Sequence, residues 1–270
     1  MPNQSEGAIA MVHGMWGGPW YWEGYKEFFA SRGYSCVNPE LLYHGGNPND
    51  SPHPRLGNTS VADYTDDIAN QIADLPRPMI FMGHSMGGLI VLRLASFGLA
   101  DAVVCLASVP PRGISLFTKK GILSHYGWRS IPYWLTGRPQ RLTLGEAVYF
   151  MLNLLPPNEQ KEIFRNLRWD SGRAVREIGL PFLDRSRATE VDESKINCPV
   201  LIIAGKEDNV IPVSITRKIA RKITGSDYWE LENHSHWIMG EPGWEKAAGD
   251  IYHWLQEKLG GVQKEKMVVV

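Results

Sequence analysis

The sequence feature that most constrains the fold is Ser85 in the glycine-rich segment GHSMGG, residues 83–88. An apolar run at residues 79–82 precedes the segment, and the helix-forming stretch LIVLRLASF follows it. A strand, a Gly-x-Ser-x-Gly pattern and a helix in that order predict a strained turn that lifts the serine hydroxyl clear of a sheet. Glycines fit such a turn because a Cβ would clash there. An ordinary serine at a helix N-cap is the alternative interpretation.

Along the rest of the chain, apolar runs rich in β-branched residues alternate with longer amphipathic stretches. This alternation is typical of a mostly parallel sheet with helices on both faces, so we expect an α/β fold. The predicted strands are residues 7–12, 34–38, 79–82, 102–107, 200–204 and 228–231. The clearest predicted helices are residues 21–32, 61–74, 86–97, 213–223 and 244–259.

The alternation is interrupted at residues 110–191, where Trp128, Trp134 and the stretch LNLLPPNEQ indicate helices and loops without a buried strand. We therefore expect residues 1–109 and 192–260 to form the core and residues 110–191 a helical lid inserted into it. The aromatic and aliphatic side chains of this insertion can roof an apolar pocket or simply pack onto the core, and the sequence favours neither. Residues 261–270 are expected to form a flexible tail.

Charge and cysteine content narrow the class of partner. Lys and Arg total 28 and Asp and Glu total 29, so a formal net charge of -1 offers no general attraction to nucleic acid or anionic membranes. Cys36, Cys105 and Cys198 lie in or beside apolar stretches, outside any metal-binding pattern, which predicts buried, reduced thiols. The sequence shows neither a signal peptide pattern nor a run long enough to span a bilayer. We expect a cytoplasmic protein without stable membrane insertion that acts on a small molecule.

Candidates for an acid and a base follow the last two predicted strands. A serine hydroxyl is a poor nucleophile at neutral pH, so it needs a base, and the base needs an acid that fixes its tautomer. Asp208 lies in the loop directly after the predicted strand at residues 200–204, and His234 and His236 follow the next strand. The position of Asp208 after a buried strand favours it as the acid. Its rivals in this part of the sequence are Asp184, Asp192 and Glu207.

Outside residues 110–191 the chain resembles the α/β-hydrolase superfamily, and within it the esterase and lyase branch that includes plant methyl esterases and hydroxynitrile lyases. The resemblance is carried by the strand before His13-Gly14, the run HGMWGGPWYW with its following helix, and GHSMGG. It implies Ser85 as the nucleophile, Asp208 as the acid and a base in the final histidine loop.

The resemblance also separates the two histidines of that loop. In similar family members the catalytic histidine is followed five residues later by Glu and then Pro. His236 has Glu241 and Pro242 at those places and His234 does not. We assign the base to His236, with His234 as the alternative.

Ester cleavage builds negative charge on the carbonyl oxygen, so backbone N–H groups must point at that oxygen. Met86, directly after the nucleophile, supplies one donor, and the resemblance implies Met15 as the second. Their side chains, with Trp16, would make an apolar pocket floor. We expect structural or surface roles for most other histidines and core positions for Trp20 and Trp22. The residues assigned to substrate binding are Gly14, Trp16, His84 and Trp237.

Together these assignments predict a serine hydrolase that cleaves carboxylic esters of small to medium, fairly hydrophobic substrates through an acyl-enzyme. This chemistry requires neither cofactor nor metal, and the expected partner is the ester itself. The alternatives are a lyase or carbon–carbon bond hydrolase with the same triad, and a non-hydrolytic receptor of the same fold. Similar hydroxynitrile lyases carry Lys directly after the catalytic histidine, where this chain has Trp237, which counts against cyanohydrin chemistry.

Overall fold

The computed structural model describes residues 6–116, 132 and 136–267, with the backbone alone for residues 261–267. In these residues six parallel strands form one sheet in the order β2-β1-β3-β4-β5-β6. The strands are β1 Ala8–Val12, β2 Ser35–Val37, β3 Met79–His84, β4 Ala102–Leu106, β5 Val200–Gly205 and β6 Asp227–Leu231. Each coincides with a predicted strand, and the predicted α/β class is confirmed.

The central strands explain why the sequence has short, continuous apolar runs. Every residue of β1, β3, β4 and β5 is buried, whereas the edge strands β2 and β6 are only partly buried. A strand that is buried on both faces must be covered on both faces, here by helices. The carboxyl ends of the parallel strands share one edge of the sheet, where this type of fold places its ligands.

The helices that lie wholly within the described residues are α1 Glu23–Ala30, α2 Val61–Gln71, α3 Met86–Ser96, α4 Leu144–Phe150, α5 Pro157–Asn166, α6 Gly172–Gly179, α7 Val213–Lys222 and α8 Trp244–Met267. The predicted helix at residues 21–32 begins instead as a 3-10 turn, Pro19–Trp22. Helix α8 continues through Gly260 and Gly261, so the expected tail is helical as far as Met267. A glycine costs a helix interior only about 1 kcal/mol, and the good helix formers QKEK follow the pair.

The insertion, residues 110–191, lies between β4 and β5. Its described residues hold α4, α5, α6, the 3-10 turn Pro181–Leu183 and one isolated antiparallel bridge between Gln140 and Asp170. Trp128 and Trp134, on which the prediction of a lid partly rests, lie outside the described residues. Several aliphatic and aromatic side chains of the insertion are buried in the hydrophobic core, so part of it packs onto the sheet domain. They include Leu142, Ala147, Phe150, Leu152 and Leu155.

The sequence predicts buried, reduced thiols and no segment long enough to span a bilayer. Cys105 is buried, Cys36 and Cys198 are half-buried, and all three thiols are free. Among the described residues, no helix combines the length and the apolar character needed to cross a bilayer.

Candidate active site

Ser85 lies in the turn between β3 and α3 with a backbone conformation that non-glycine residues rarely adopt, φ 54° and ψ -117°. Such strain persists only where neighbouring groups fix the backbone. The N–H of Ser85 donates to the carbonyl of Leu106 at 3.0 Å, and its own carbonyl accepts from the N–H of Val109 at 2.9 Å. The end of β4 therefore holds the serine in the predicted strained turn.

The glycines of the turn allow three backbone segments to approach closely. A Cβ on Gly83 would lie 2.4 Å from the carbonyl oxygen of Gly87. A Cβ on Gly87 would lie 2.1 Å from the carbonyl oxygen of Val12, at the end of β1. Both contacts are with backbone atoms, which cannot rotate away as a side chain can.

We expect Gly87→Ala to destabilise the protein by about 3 kcal/mol, the upper end of the range for overpacking a tight interior. Urea denaturation followed by far-UV circular dichroism measures the free energy of unfolding. The matched control is Gly249→Ala in α8, where an added Cβ meets no atom within 4 Å. That change should stabilise the helix by about 0.5–1 kcal/mol. Equal stability of the two variants would contradict the close packing at Gly87.

Asp208 and His236 come together from the loops after β5 and β6. The Oδ2 atom of Asp208 lies 2.8 Å from Nδ1 of His236, and both side chains are buried. The Oδ1 atom accepts from the N–H groups of Val210 at 2.6 Å and Ile211 at 2.8 Å. Since Nδ1 donates to the carboxylate, Nε2 is the ring nitrogen that is free to accept a proton.

The rival residues are placed elsewhere. Glu207 is exposed. Its backbone N–H contacts the histidine loop by donating to the carbonyl of His234 at 2.9 Å. Asp184 accepts from Ser186 and Ala188, and Asp192 accepts from Ser194. Nδ1 of His234 lies 2.9 Å from the carbonyl oxygen of Glu232. Of the predicted acids and bases, the structure pairs Asp208 with His236.

His84 connects the serine turn with the histidine loop. Its Nε2 lies 2.9 Å from the carbonyl oxygen of His236, and the two rings are 4.7 Å apart. This contact brings His236 beside His84, the residue that precedes Ser85. The side chains of Ser85 and His236 make no hydrogen bond with each other in this structure. Bonds of that kind often tighten only when substrate binds. The ring of His84 is buried and supports the His236 loop, and its role in substrate binding remains a prediction.

Glu241 supports the same loop from beneath. Its carboxyl group accepts from the N–H of Ser235 at 2.7 Å and from the hydroxyl of the same residue. Burial raises the pKa of Glu241 above its ordinary value of 4.5, and Asp208 adds to the rise, whereas the Ser235 bonds and His234 oppose it. In the sequence, Glu241 served only to distinguish His236 from His234. The structure shows that its carboxyl group binds Ser235, the residue before His236.

Because the pKa of Glu241 is raised in the folded state, its stabilising contribution is complete below the unfolded value and is lost as the pH rises through the folded value. We expect the free energy of unfolding of Glu241→Gln to fall less than that of the parent as the pH rises above 4.5. Urea denaturation between about pH 4 and pH 8 measures this difference. Glu245→Gln, at an exposed position in α8, is the control and should follow the parent. Parallel curves for the parent and Glu241→Gln would refute the assignment.

The predicted oxyanion donors lie at the ends of adjacent strands. Met15 follows β1, and Met86 begins α3. A Cβ on Gly14 would lie 2.8 Å from Cβ of Ser85, so the loop that carries Met15 packs directly against the nucleophile. Within the described part of the chain, neither the Met15 nor the Met86 N–H donates to a protein acceptor.

An aromatic cluster surrounds this loop. Trp237 packs edge-on against Tyr21, with ring centroids 4.4 Å apart, and lies 5.6 Å from Trp20. Trp22 is fully buried in the core, as expected, and Trp20 is partly buried against it. Trp16 and Trp237 are buried near the site, and their roles in substrate binding, like that of Gly14, remain predictions.

A buried ion pair between His44 and Asp170 was not predicted from the sequence. The Nε2 atom of His44 lies 3.1 Å from Oδ2 of Asp170, and both side chains are fully buried. The pairing could not be predicted from the local sequence because the partner lies 126 residues away in the insertion. Asp170 precedes Ser171, which caps α6, so the local sequence reads as an ordinary helix start. In the part of the chain that the structure describes, no group of three or more His, Cys, Asp and Glu residues is arranged to hold a metal ion.

Comparisons with known proteins give the family. A model of the Alpha/beta hydrolase family matches residues 9–245. By sequence, the chain is 23% identical over 245 residues to a non-heme chloroperoxidase of Kitasatospora aureofaciens, covering 87% of each chain. It is 27% identical over 238 residues to a putative carbamate hydrolase of Klebsiella pneumoniae, covering 84% of each.

Among solved structures, a methylesterase from Arabidopsis has a similar fold, with a TM-score of 0.65 at 15% identity over 94% of this chain and 98% of that one. The family match runs from β1 to the start of α8 and so includes the serine turn and the loops of Asp208 and His236. The resemblance predicted from GHSMGG is confirmed. The chain belongs to the alpha/beta hydrolase family of enzymes.

Proposed function

We propose that the protein hydrolyses carboxylic esters of small to medium, fairly hydrophobic substrates through an acyl-enzyme on Ser85. The observation that carries the proposal is the 2.8 Å contact between Asp208 and His236 in loops beside the strained turn of Ser85. A buried Asp–His pair next to a serine in a strained turn is the arrangement that serine acyl transfer needs. The names of two relatives, a methylesterase and a putative carbamate hydrolase, agree with hydrolysis of carbonyl compounds.

In the proposed reaction, Oγ of Ser85 attacks the ester carbonyl while Nε2 of His236 takes the hydroxyl proton. Asp208 stabilises the imidazolium that forms, because its Oδ2 atom accepts from Nδ1. The N–H groups of Met15 and Met86 donate to the carbonyl oxygen as it becomes negative. His236 then gives the proton to the leaving alcohol, and a water activated by the same nitrogen releases the acid.

The substrate class rests on the side chains near this edge. Met15 and Trp16 follow β1, and both bring apolar surface to the loop that packs against Ser85. Unbranched, polarisable methionine side chains adapt to apolar groups of different shape. We propose that the insertion covers this apolar site as a lid.

Hydrolysis of p-nitrophenyl esters of increasing acyl length tests the proposal, because the preferred length reports the size of the acyl site. Added methanol tests the acyl-enzyme. Esters that share an acyl group but differ in leaving group should partition between acid and methyl ester in one constant ratio, since all pass through the same intermediate. A ratio that changes with the leaving group would contradict the acyl-enzyme, and a parent without turnover would favour a receptor.

A further inference from the structure

Asp170 belongs to the insertion, and its carboxylate contacts residues of the sheet domain. Its backbone pairs with that of Gln140, with N···O distances of 2.9 and 2.8 Å in the two directions. Its side chain is fully buried and accepts four hydrogen bonds. The donors are the N–H of Trp16 at 2.8 Å, Nε2 of His44 at 3.1 Å, the hydroxyl of Tyr64 at 3.2 Å and the N–H of Ser171 at 2.6 Å. The acceptor capacity of a carboxylate is thereby filled.

The most consequential of these donors is Trp16, which directly follows Met15. Trp16 has a positive φ of 59°, which is strained for a residue with a side chain. The insertion contacts both sides of this residue: Asp170 accepts from its N–H, and the N–H of Arg168 donates to its carbonyl at 2.8 Å. These two bonds compensate for the strain.

Met15 therefore lies between two fixed points. On one side, Gly14 packs against Ser85 so closely that a Cβ would be 2.8 Å from the serine Cβ. On the other side, Trp16 is bonded to Asp170 and Arg168. The direction of the Met15 N–H follows from both, and an oxyanion donor displaced by about 1 Å can lose on the order of 100-fold in rate.

A carboxylate this close to a site that develops negative charge would oppose catalysis unless it were neutralised. His44 supplies the counter-charge. Its Nδ1 lies 3.2 Å from the carbonyl oxygen of Leu42 and its Nε2 contacts Asp170, so both ring nitrogens face acceptors and the imidazolium satisfies both.

The pKa directions agree with a charged pair. Burial lowers the pKa of His44, but the charge and hydrogen bond of Asp170, together with the hydrogen bond to the Leu42 carbonyl, outweigh burial and leave the pKa above 6.5. Burial raises the pKa of Asp170, but His44 and the Trp16 and Ser171 N–H groups outweigh it and leave it below 3.8. The other titratable neighbours are Tyr21, Tyr64, the Arg168 guanidinium, and His13, whose pKa burial and His44 lower to about 3. The pair thus adds no net charge beside the site.

We propose that Asp170, neutralised by His44, is a positioning residue that fixes the Met15 N–H for the oxyanion through its bond to Trp16. This inference rests on the proposed function, and it makes the insertion part of the catalytic apparatus as well as a cover. Under the simpler alternative, Asp170 only joins the insertion to the sheet domain.

Glu177 provides a matched control for that alternative. It is a second buried carboxylate of the insertion, and it also accepts a backbone N–H from the sheet domain, that of Val61 at 2.9 Å. Its other partner is Arg173 on the same helix, at 2.7 Å. Loss of Glu177 therefore weakens the junction between the insertion and the sheet domain at a different place, the start of α2.

The experiment compares the parent with Asp170→Asn, Asp170→Ala and Glu177→Gln in p-nitrophenyl ester hydrolysis. Both Asp170 variants should lower kcat, on the order of 10-fold to 100-fold, and leave KM within about twofold. Their affinity for a boronic acid, which adds to the serine as a tetrahedral anion, should fall by a similar factor. Glu177→Gln should lower the melting temperature without a comparable change in kcat or boronate affinity.

Hydrogen exchange gives a readout that does not depend on turnover. The Trp16 amide should exchange slowly in the parent and faster in Asp170→Asn, the isosteric variant that preserves the fold if Asp170→Ala does not. The Val61 amide should change only in Glu177→Gln. Unchanged Trp16 exchange with parental kcat in the Asp170 variants, or an equal loss of kcat in Glu177→Gln, would overturn the positioning role. Turnover by neither parent nor variants would instead overturn the proposed function.

Discussion

Replacing Ser85 with alanine is expected to lower kcat for ester hydrolysis on the order of 10⁴-fold or more, because the variant has no hydroxyl to form the acyl-enzyme. KM should stay near the parental value, since the hydroxyl contributes to bond making rather than to ground-state binding. Initial rates with a p-nitrophenyl ester give both constants. Labelling with a fluorophosphonate, followed by peptide mass spectrometry, should modify Ser85 in the parent and leave Ser85→Ala unmodified.

Ser96→Ala is the control for this prediction. Ser96 lies at the end of the same helix, α3, and its hydroxyl donates to the carbonyl of Arg93 at 2.7 Å. Its loss should leave kcat and labelling at parental levels. If Ser85→Ala retained the parental rate, the nucleophile would be a different group and the proposed mechanism would be wrong.

Replacing Asp208 with asparagine should lower kcat on the order of 10³-fold to 10⁴-fold. The surrounding backbone determines how the amide is oriented, since the N–H groups of Val210 and Ile211 both point at the Oδ1 position. That position must hold the amide oxygen, so the NH₂ group faces Nδ1 of His236. The histidine then carries its proton on Nε2 and cannot accept one from Ser85.

The control is Glu207→Gln, which changes the exposed neighbouring carboxylate to an amide. It should keep kcat within about twofold of the parent, as expected for a surface side chain. The rate of fluorophosphonate labelling should fall with kcat in Asp208→Asn, because the serine is no longer activated. Activity of Asp208→Asn within tenfold of the parent would show that His236 is oriented by another group.

The sequence was sufficient for features that depend on local pattern. The four central strands are buried and so require continuous apolar runs, and the partly buried edge strands β2 and β6 still carry enough apolar residues for all six to be located. Ser85, Asp208 and His236 each lie in a loop directly after such a strand, and the carboxyl ends of parallel strands share one edge. Their proximity is therefore a consequence of the α/β topology.

Contacts between distant segments could not be predicted in this way. The bond from Trp16 to Asp170 spans 154 residues, and that from Val61 to Glu177 spans 116. Nothing in the local pattern of either carboxylate distinguishes it from a solvated helix residue. The contact of His84 with the carbonyl of His236 is a further example, because it joins segments 152 residues apart in the sequence.

The two hydrogen bonds between the insertion and Trp16 bear on the design of chimaeras. Under the proposed role of the insertion as a lid, grafting another insertion between β4 and β5 is expected to alter the substrate range. A graft that replaces all of residues 110–191 also removes Arg168 and Asp170, and under the positioning role that we propose for Asp170 it should lower kcat. A graft confined to residues 117–139 would retain Arg168 and Asp170, together with the backbone bridge between Gln140 and Asp170. The segment that is suitable for exchange in a chimaera is therefore shorter than the whole insertion between β4 and β5.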